Sequence, residues 1–159
     1  MAVVDTYTNA NAQAGKAPYN ASIVSGGESV SMVAAYTPAA GDSANSVYRF
    51  FKDVPSNMIP IDLGLATTSN VSTGTCHIGV YKAGGAAADE DCLSASLSTA
   101  TASRKLDGLA SVAIADKQKT LAELAGLDSS KHPTVDIGVK ALTAFGAQAI
   151  ALTGTFLQK

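Results

Sequence analysis

The sequence predicts an all-β protein, an antiparallel, jelly-roll-like β-sandwich of about eight strands with one short helix. Three observations favour this fold class: many short segments of alternating apolar residues, turn-forming glycine, serine and asparagine between them, and no regular exchange of strands with helices. A chain of 159 residues is long enough for one domain with a core and too short to suggest two. We therefore expect a sandwich domain over residues 29–159.

Residues 1–28 form the exception to this pattern. They are rich in asparagine, alanine, threonine and glycine and show little hydrophobic periodicity, which predicts an extended N-terminal arm that a partner can order. The start of the chain lacks the basic residues and the apolar stretch of a signal peptide, and no apolar run approaches the length of a membrane span. A soluble protein made in a cytoplasm is expected.

Strands are predicted wherever apolar residues alternate with smaller or polar ones. The strongest alternation occurs in four segments, 59–66, 75–82, 134–141 and 149–156. The sequence TTSNVSTG predicts a loop between the first two, and AFGA predicts a turn that makes the last two a hairpin. Further strand candidates are 30–36, 46–54 and 109–114.

One segment, residues 116–127, is predicted to be helical. Asp116 is placed as its N-cap, Leu121 and Leu124 share one face, and Gly126 is a stop signal.

A glycine stands within the same short strand motif three times, as DLGL, HIGV and DIGV. Gly64, Gly79 and Gly138, together with Gly154, are assigned to the strand side opposite the large apolar residues and are predicted to face outward. A bare backbone there suits a bulge that curves the sheet, a covering segment, or the close approach of another chain. Curvature is the simplest explanation, and contact is the main alternative.

The contact explanation defines a candidate contact face. Its members share strand positions on the predicted outward side: Asp62, Gly64, His77, Gly79, Tyr81, Asp136 and Gly138. Lysine in place of Gly79 or Gly138 should then leave the fold intact and weaken assembly.

No catalytic, cofactor-binding or metal-binding residues are predicted. His77 and His132 lie outside any recognisable nucleophile motif, and Cys76 and Cys92 lack the paired spacing of metal ligands. Both cysteines are interpreted as small hydrophobic residues, since a cytoplasm is reducing. The acidic triplet Asp89–Asp91 lacks the spacing of a calcium loop and is interpreted as a solvated loop tip.

The charge of the chain argues against nucleic-acid and membrane partners. Charged residues make up 15% of the chain, the formal net charge is -2, and the basic residues are scattered. No nucleic-acid or membrane partner is therefore expected.

The run GDSANSVYRFFKDVPSNMIPIDLGLATTSNVSTGTCHIGVYKAGG, with VDIGVKAL further on, resembles the capsid cement, or decoration, proteins of tailed bacteriophages. The resemblance covers roughly residues 41–85 and the VDIGVKAL segment, residues 135–142. It implies a non-enzymatic jelly-roll protein, made in the host cytoplasm, that sits on the outer capsid surface of the virion as a dimer or trimer. It also implies that the protein bridges copies of the major capsid protein and needs no cofactor.

Two other functions remain open from the sequence. Tyr36, Tyr48 and Tyr81 could stack sugars in a carbohydrate- or receptor-binding module of a phage tail, although the chain has no tryptophan. A tail or neck structural protein would show the same patterning. An enzyme is the least supported reading, because no catalytic constellation is present.

Overall fold

The computed structural model describes residues 3–5, 29–39, 42–68, 74–99, 103–146 and 148–158, and these form nine strands in two sheets. The strands are β1 (Val3–Asp5), β2 (Ser29–Tyr36), β3 (Val47–Pro55), β4 (Met58–Thr67), β5 (Thr75–Lys82), β6 (Ala87–Ser98), β7 (Ser103–Asp107), β8 (Thr134–Ala141) and β9 (Ile150–Gln158). A 3-10 turn (Ile114–Asp116) and a one-turn helix, α1 (Leu121–Leu124), lie between β7 and β8. The predicted all-β class is confirmed. Most of the predicted N-terminal arm, residues 6–28, lies outside the described residues.

From β2 onward the chain follows the path of one long hairpin wrapped into a sandwich. The two halves of this hairpin pair antiparallel and in order: β2 with β9, β3 with β8, β4 with β7, and β5 with β6. Successive pairs fall in alternate sheets, which gives the orders β2-β9-β4-β7 and β1-β3-β8-β5-β6. This connectivity is jelly-roll-like, as predicted. Strand β1 alone departs from it, because it pairs parallel to the first residues of β3.

The core lies between the two sheets and is filled by alternate residues of their strands. In β2 the alternation is strict: Val30, Met32 and Ala34 are buried, and the residues between them are exposed. Phe51 from the five-stranded sheet meets Phe156 from the four-stranded sheet edge to face, with ring centroids 6.1 Å apart. These contacts join the two sheets across the core.

Gly154 lies beneath this aromatic pair. It shares the buried strand side of Leu152 and Phe156, so the prediction that it faces outward is wrong. A Cβ at Gly154 would come within 2.7 Å of the Phe156 ring and 3.1 Å of the Phe51 ring. The glycine makes room for the two rings to meet.

A bulge in β4 changes which of its apolar residues face the core. The pairing with β9 shifts register between Pro60 and Asp62, which leaves Ile61 as the extra residue. Ile61 is consequently 53% exposed, although the alternation in the sequence assigned it to the same side as Leu63 and Leu65. Those two leucines are buried as expected.

The predicted C-terminal hairpin is wrong. Strands β8 and β9 are both present, but they belong to different sheets, and the residues between them cross from one sheet to the other. Residues 109–114, predicted as a strand, form turns that lead into the 3-10 turn. The strands β6 and β7 were not predicted, and the acidic triplet Asp89–Asp91 lies within β6 instead of at a loop tip.

The helix is shorter than predicted, and it begins later. Its N-cap is Thr120 instead of Asp116, since the Thr120 hydroxyl accepts from the Glu123 amide while the Glu123 carboxylate accepts from the Thr120 amide. Gly126 follows the helix with a φ of 64° and ends it, as predicted. Leu121 is buried and anchors the turn to the core.

Candidate contact surfaces

The seven residues of the predicted contact face lie on two surfaces that point away from each other. Asp62 and Gly64 belong to β4 in the four-stranded sheet, whereas the other five belong to β5 and β8 in the five-stranded sheet. The outer sides of a two-layer sandwich face opposite directions, so the seven do not form one patch. The outer side of β2, β9, β4 and β7 is called here the open face, and the outer side of β3, β8 and β5 the covered face.

Strand β6 covers β5 on the covered face. Residue Ile78 pairs with Ser94 and Val80 with Asp89, so the intervening part of β6 leaves the regular ladder. A Cβ at Gly79 would overlap the backbone carbonyl groups of Asp89 and Glu90. Gly79 therefore faces outward in the sense predicted, but it is buried by backbone of the same molecule.

An ion pair holds this part of β6 in place. The Nζ atom of Lys140 on β8 donates to the carboxylate of Glu90, and both side chains are partly buried. Because Lys140 lies on the strand next to β5, the pair ties β6 across β5 to β8. The acidic triplet is thus engaged within the fold through its middle residue.

Tyr81 covers the next outward glycine. Its side chain is buried, and a Cβ at Gly138 would come within 2.9 Å of the Tyr81 ring. Burial raises the pKa of Tyr81 above its ordinary value, and the nearby Glu90 and Cys92 add to the shift. The Tyr81 hydroxyl has no hydrogen-bond partner among the described residues. The residue serves the sheet as an apolar cover.

Asp136 forms a buried ion pair on the covered face. Its Oδ2 accepts from Nη1 of Arg49 at 2.7 Å and its Oδ1 accepts from the Asp53 amide at 3.0 Å. Burial raises the pKa of Asp136, while the Asp53 amide and Arg49 act in the opposite direction. The pair links β3 to β8. Its side chains are 8% and 0% exposed, so it is inaccessible to a substrate.

His77 is the only accessible member of the predicted set among the described residues of the covered face, and it is half-buried. Its Nδ1 accepts from the Ser96 amide at 2.9 Å, which places the proton of the neutral ring on Nε2. His132 lies apart from it, in the loop before β8, where its amide donates to the Asp128 carbonyl at 2.9 Å. The fold does not bring the two histidines together.

The β2–β9 part of the open face is built from uncharged side chains. On β2 and β9 the outward residues meet in cross-strand pairs: Ser31 with Thr155, Val33 with Thr153, and Ala35 with Ala151. The hydroxyls of the first pair are within 3.3 Å of each other, so they satisfy one another. This part of the open face therefore offers no charge to a partner.

An ion pair crosses the open face above Gly64. The Nζ atom of Lys105 on β7 donates to both carboxylate oxygens of Asp62, at 2.6 and 2.7 Å. The stem of Lys105 lies over Gly64, where a Cβ would come within 2.8 Å of its Cγ atom. Gly64 is buried by this flexible side chain, and the two charges offset each other at the surface.

An apolar depression of about 390 Å³ opens at one end of the open face. Its lining includes Ala35, Ala66, Ala149 and Ala151, from the ends of β2 and β4 and the region where β9 begins. A small-molecule site of this volume normally has several converging polar groups that orient the ligand. The mainly apolar lining here suits contact with a protein surface better.

The described residues show no metal-binding group, and of their two cysteines Cys76 is buried and Cys92 is partly buried. Across these ranges no three His, Cys, Asp or Glu side chains come together as a metal-binding group. Cys76 and Cys92 are free thiols, and burial raises the pKa of each to about 12, which keeps both protonated at neutral pH. Among the described helical segments, none has the length and apolar character to cross a membrane.

The fold defines the protein as a two-layer, jelly-roll-like sandwich, and a solved structure shares this fold. A chain from the capsid of Ralstonia phage GP4 is similar, with a TM-score of 0.67, 16% sequence identity and 99% of each chain covered. A chain from the capsid asymmetric unit of cyanophage Pam1 has a TM-score of 0.48 and 13% identity over 88% of this chain and 97% of that one. No family model and no curated protein sequence matches. At such identities the GP4 likeness shows a common fold.

Proposed function

We propose that this protein is a non-enzymatic structural component of a phage virion, a cement or decoration protein that binds the outer surface of the head and bridges major capsid subunits. The observation that carries the proposal is the fold likeness to the GP4 capsid chain, which covers 99% of both chains.

The open face supports this role. A shell protein is present in many copies, so modest contacts at each copy add up to strong attachment. Small side chains and an internally offset ion pair allow close approach at little cost in desolvation. We propose that Asp62 belongs to the surface that meets the capsid, together with the stem of Lys105 that covers Gly64.

The remaining predicted contact residues take other roles in this proposal. Gly79, Tyr81, Asp136 and Gly138 are buried within the molecule, so they stabilise the covered face instead of meeting a partner. His77 stays the candidate for contact on that face. The N-terminal arm, residues 1–28, is proposed to provide a second attachment to neighbouring subunits.

The burial of the tyrosines argues against the carbohydrate-binding alternative. Tyr48 and Tyr81 are 0% and 1% exposed, and Tyr36 is half-buried with its ring 5.7 Å from that of Tyr48. Sugar stacking needs an accessible aromatic face, which the first two do not offer.

The copy number of the protein in purified particles tests the proposal. Quantitative mass spectrometry should find a number of copies close to that of the major capsid protein. A few copies per particle would indicate a tail or neck protein, and absence from particles would refute a virion role.

Binding of purified variants to heads that lack the protein tests the face. Thr153→Lys places a charge at an exposed position on the open face and should reduce co-sedimentation with heads at least about tenfold. Ala87→Lys places the same charge at an exposed position on β6 and should bind like the wild type. Equal binding by both variants would show that the open face is not the attachment surface.

A further inference from the structure

Sheet proteins protect the unpaired edges of their outermost strands, and this protein does so at three of the four edges in its described residues. Strand β7 is five residues long and contains the charged residues Arg104, Lys105 and Asp107. Strand β6 is bulged and carries the acidic triplet. At the third edge, β1 covers the start of β3, and the rest of β3 has register shifts, Lys52 and Asp53. Short length, bulges and charges all discourage pairing with another chain.

Strand β2 has none of these features. Its eight residues, SVSMVAAY, include no charge and no proline, and all eight pair with β9 without a register shift. In the described part of the chain, no strand pairs with its other edge. Val33, in the middle of β2, is 67% exposed and is one of three large hydrophobic residues that are exposed among the described residues.

We propose that β2 is a self-association strand: the β2 edges of two copies pair antiparallel about a twofold axis at Val33. The unpaired backbone N–H and C=O groups along the free edge of β2 can hydrogen-bond to the backbone of another extended strand. Among the described strands, β2 is the edge strand without charges, so a second copy of β2 can supply that partner. Pairing would join two four-stranded sheets into one sheet of eight. The inference rests on the edges of the sheets and does not depend on the proposed function.

The side chains of β2 fit this arrangement. With Val33 opposite its symmetry mate, Ser31 of one copy lies opposite Ala35 of the other on the outward side, and Met32 lies opposite Ala34 on the inward side. No like charges meet, and a larger residue faces a smaller one. A strand pair of this length forms about seven hydrogen bonds, which is within the usual number for a protein interface.

The mass of the purified 159-residue protein in solution tests the inference. Light scattering during size exclusion should give a dimer, twice the 16.0 kDa of the chain. Val33→Lys introduces a charge at the axis and should weaken the dimer at least about tenfold. Ile114→Lys, at a residue that is 92% exposed and outside both sheets, carries the same charge and should leave the dimer unchanged.

A cysteine at the axis tests the register. Opposed residues of antiparallel strands have Cα atoms about 4.5 to 5.5 Å apart, which a disulfide can span. Val33→Cys should therefore form a covalent dimer under mild oxidation, whereas Ile114→Cys should not. A covalent dimer that forms without phage heads supports the inference even if head binding fails.

Three outcomes would overturn it. The first is a wild-type protein that stays monomeric at about 100 μM, well above typical interface dissociation constants. The second is a wild-type dimer that Val33→Lys leaves intact, which would place the dimer contact elsewhere on the molecule. The third is a dimer that appears only after residues 6–25 are removed, which would show that the chain covers its own edge.

Discussion

Two buried tyrosines show how the surroundings of a side chain decide what its hydroxyl contributes to the stability of the fold. Both rings are enclosed, and burial raises the pKa of both hydroxyls above the ordinary value. The Tyr48 hydroxyl donates to Oδ2 of Asp42 at 3.2 Å, whereas the Tyr81 hydroxyl has no partner among the described residues. A buried polar group without a partner lowers stability by about 1–3 kcal/mol.

Replacing each tyrosine by phenylalanine should separate these two cases. Tyr81→Phe removes an unsatisfied hydroxyl and should raise the free energy of unfolding by about 1 kcal/mol, or leave it unchanged. Tyr48→Phe removes a hydrogen bond and should lower it by about 1 kcal/mol. Urea denaturation at neutral pH measures both. An equal loss in the two variants would mean that the Tyr81 hydroxyl is satisfied in solution.

At the scale of strands, the same glycine motif is used in two ways. Gly79 lies under the backbone of β6, while Gly64 lies under the flexible stem of Lys105. A backbone contact cannot move without breaking the pairing of β6, but a lysine stem can adopt another rotamer. The position of Gly79 has no space even for a methyl group. The prediction that lysine at Gly79 leaves the fold intact is therefore wrong.

Alanine substitutions measure this difference between the two glycines. Gly79→Ala should lower the free energy of unfolding by about 3 kcal/mol, because the added methyl group displaces β6 from β5. Gly64→Ala should change it by less than about 1 kcal/mol, since Lys105 can shift. Thermal and urea denaturation give both values. Similar losses in the two variants would contradict the covering role of β6.

The elements that sequence patterning predicted are those with one side against the core. Apolar alternation located β2, β3, β4, β5, β8 and β9, but it contains no information about partners, so β8 and β9 were joined in a hairpin that does not exist. Strand β6 escaped detection because its bulges break the period of two. The outward side of Gly79 and Gly138 was predictable, and their burial was not, because it depends on the path of β6 and the position of Tyr81.

At the scale of the whole molecule, eight of the nine described strands lie outside the N-terminal segment. Strand β1 adds three residues, in parallel pairing, to one end of β3. Strands β2 to β9 supply four strands to each of the two sheets. The domain over residues 29–159 should accordingly be independent of the arm.

Deletion of residues 2–25 tests that independence. The far-UV circular dichroism spectrum should stay that of a β protein, and the midpoint of thermal unfolding should fall by no more than about 5 °C. Attachment to heads should weaken if the arm contacts neighbouring subunits. A truncated protein that fails to fold would show that the arm is part of the domain.

The place of β9 in the four-stranded sheet has a consequence for biosynthesis. This strand is translated after all the other described strands, yet it lies between β2 and β4 and supplies the partner of each. Pairing between distant segments is slow and leaves strands open in the meantime. The nascent polypeptide therefore carries β2 without its partner strand, and β4 with only β7 to pair with, until the ribosome has delivered β9. Crowding of such chains would favour co-translational chaperones.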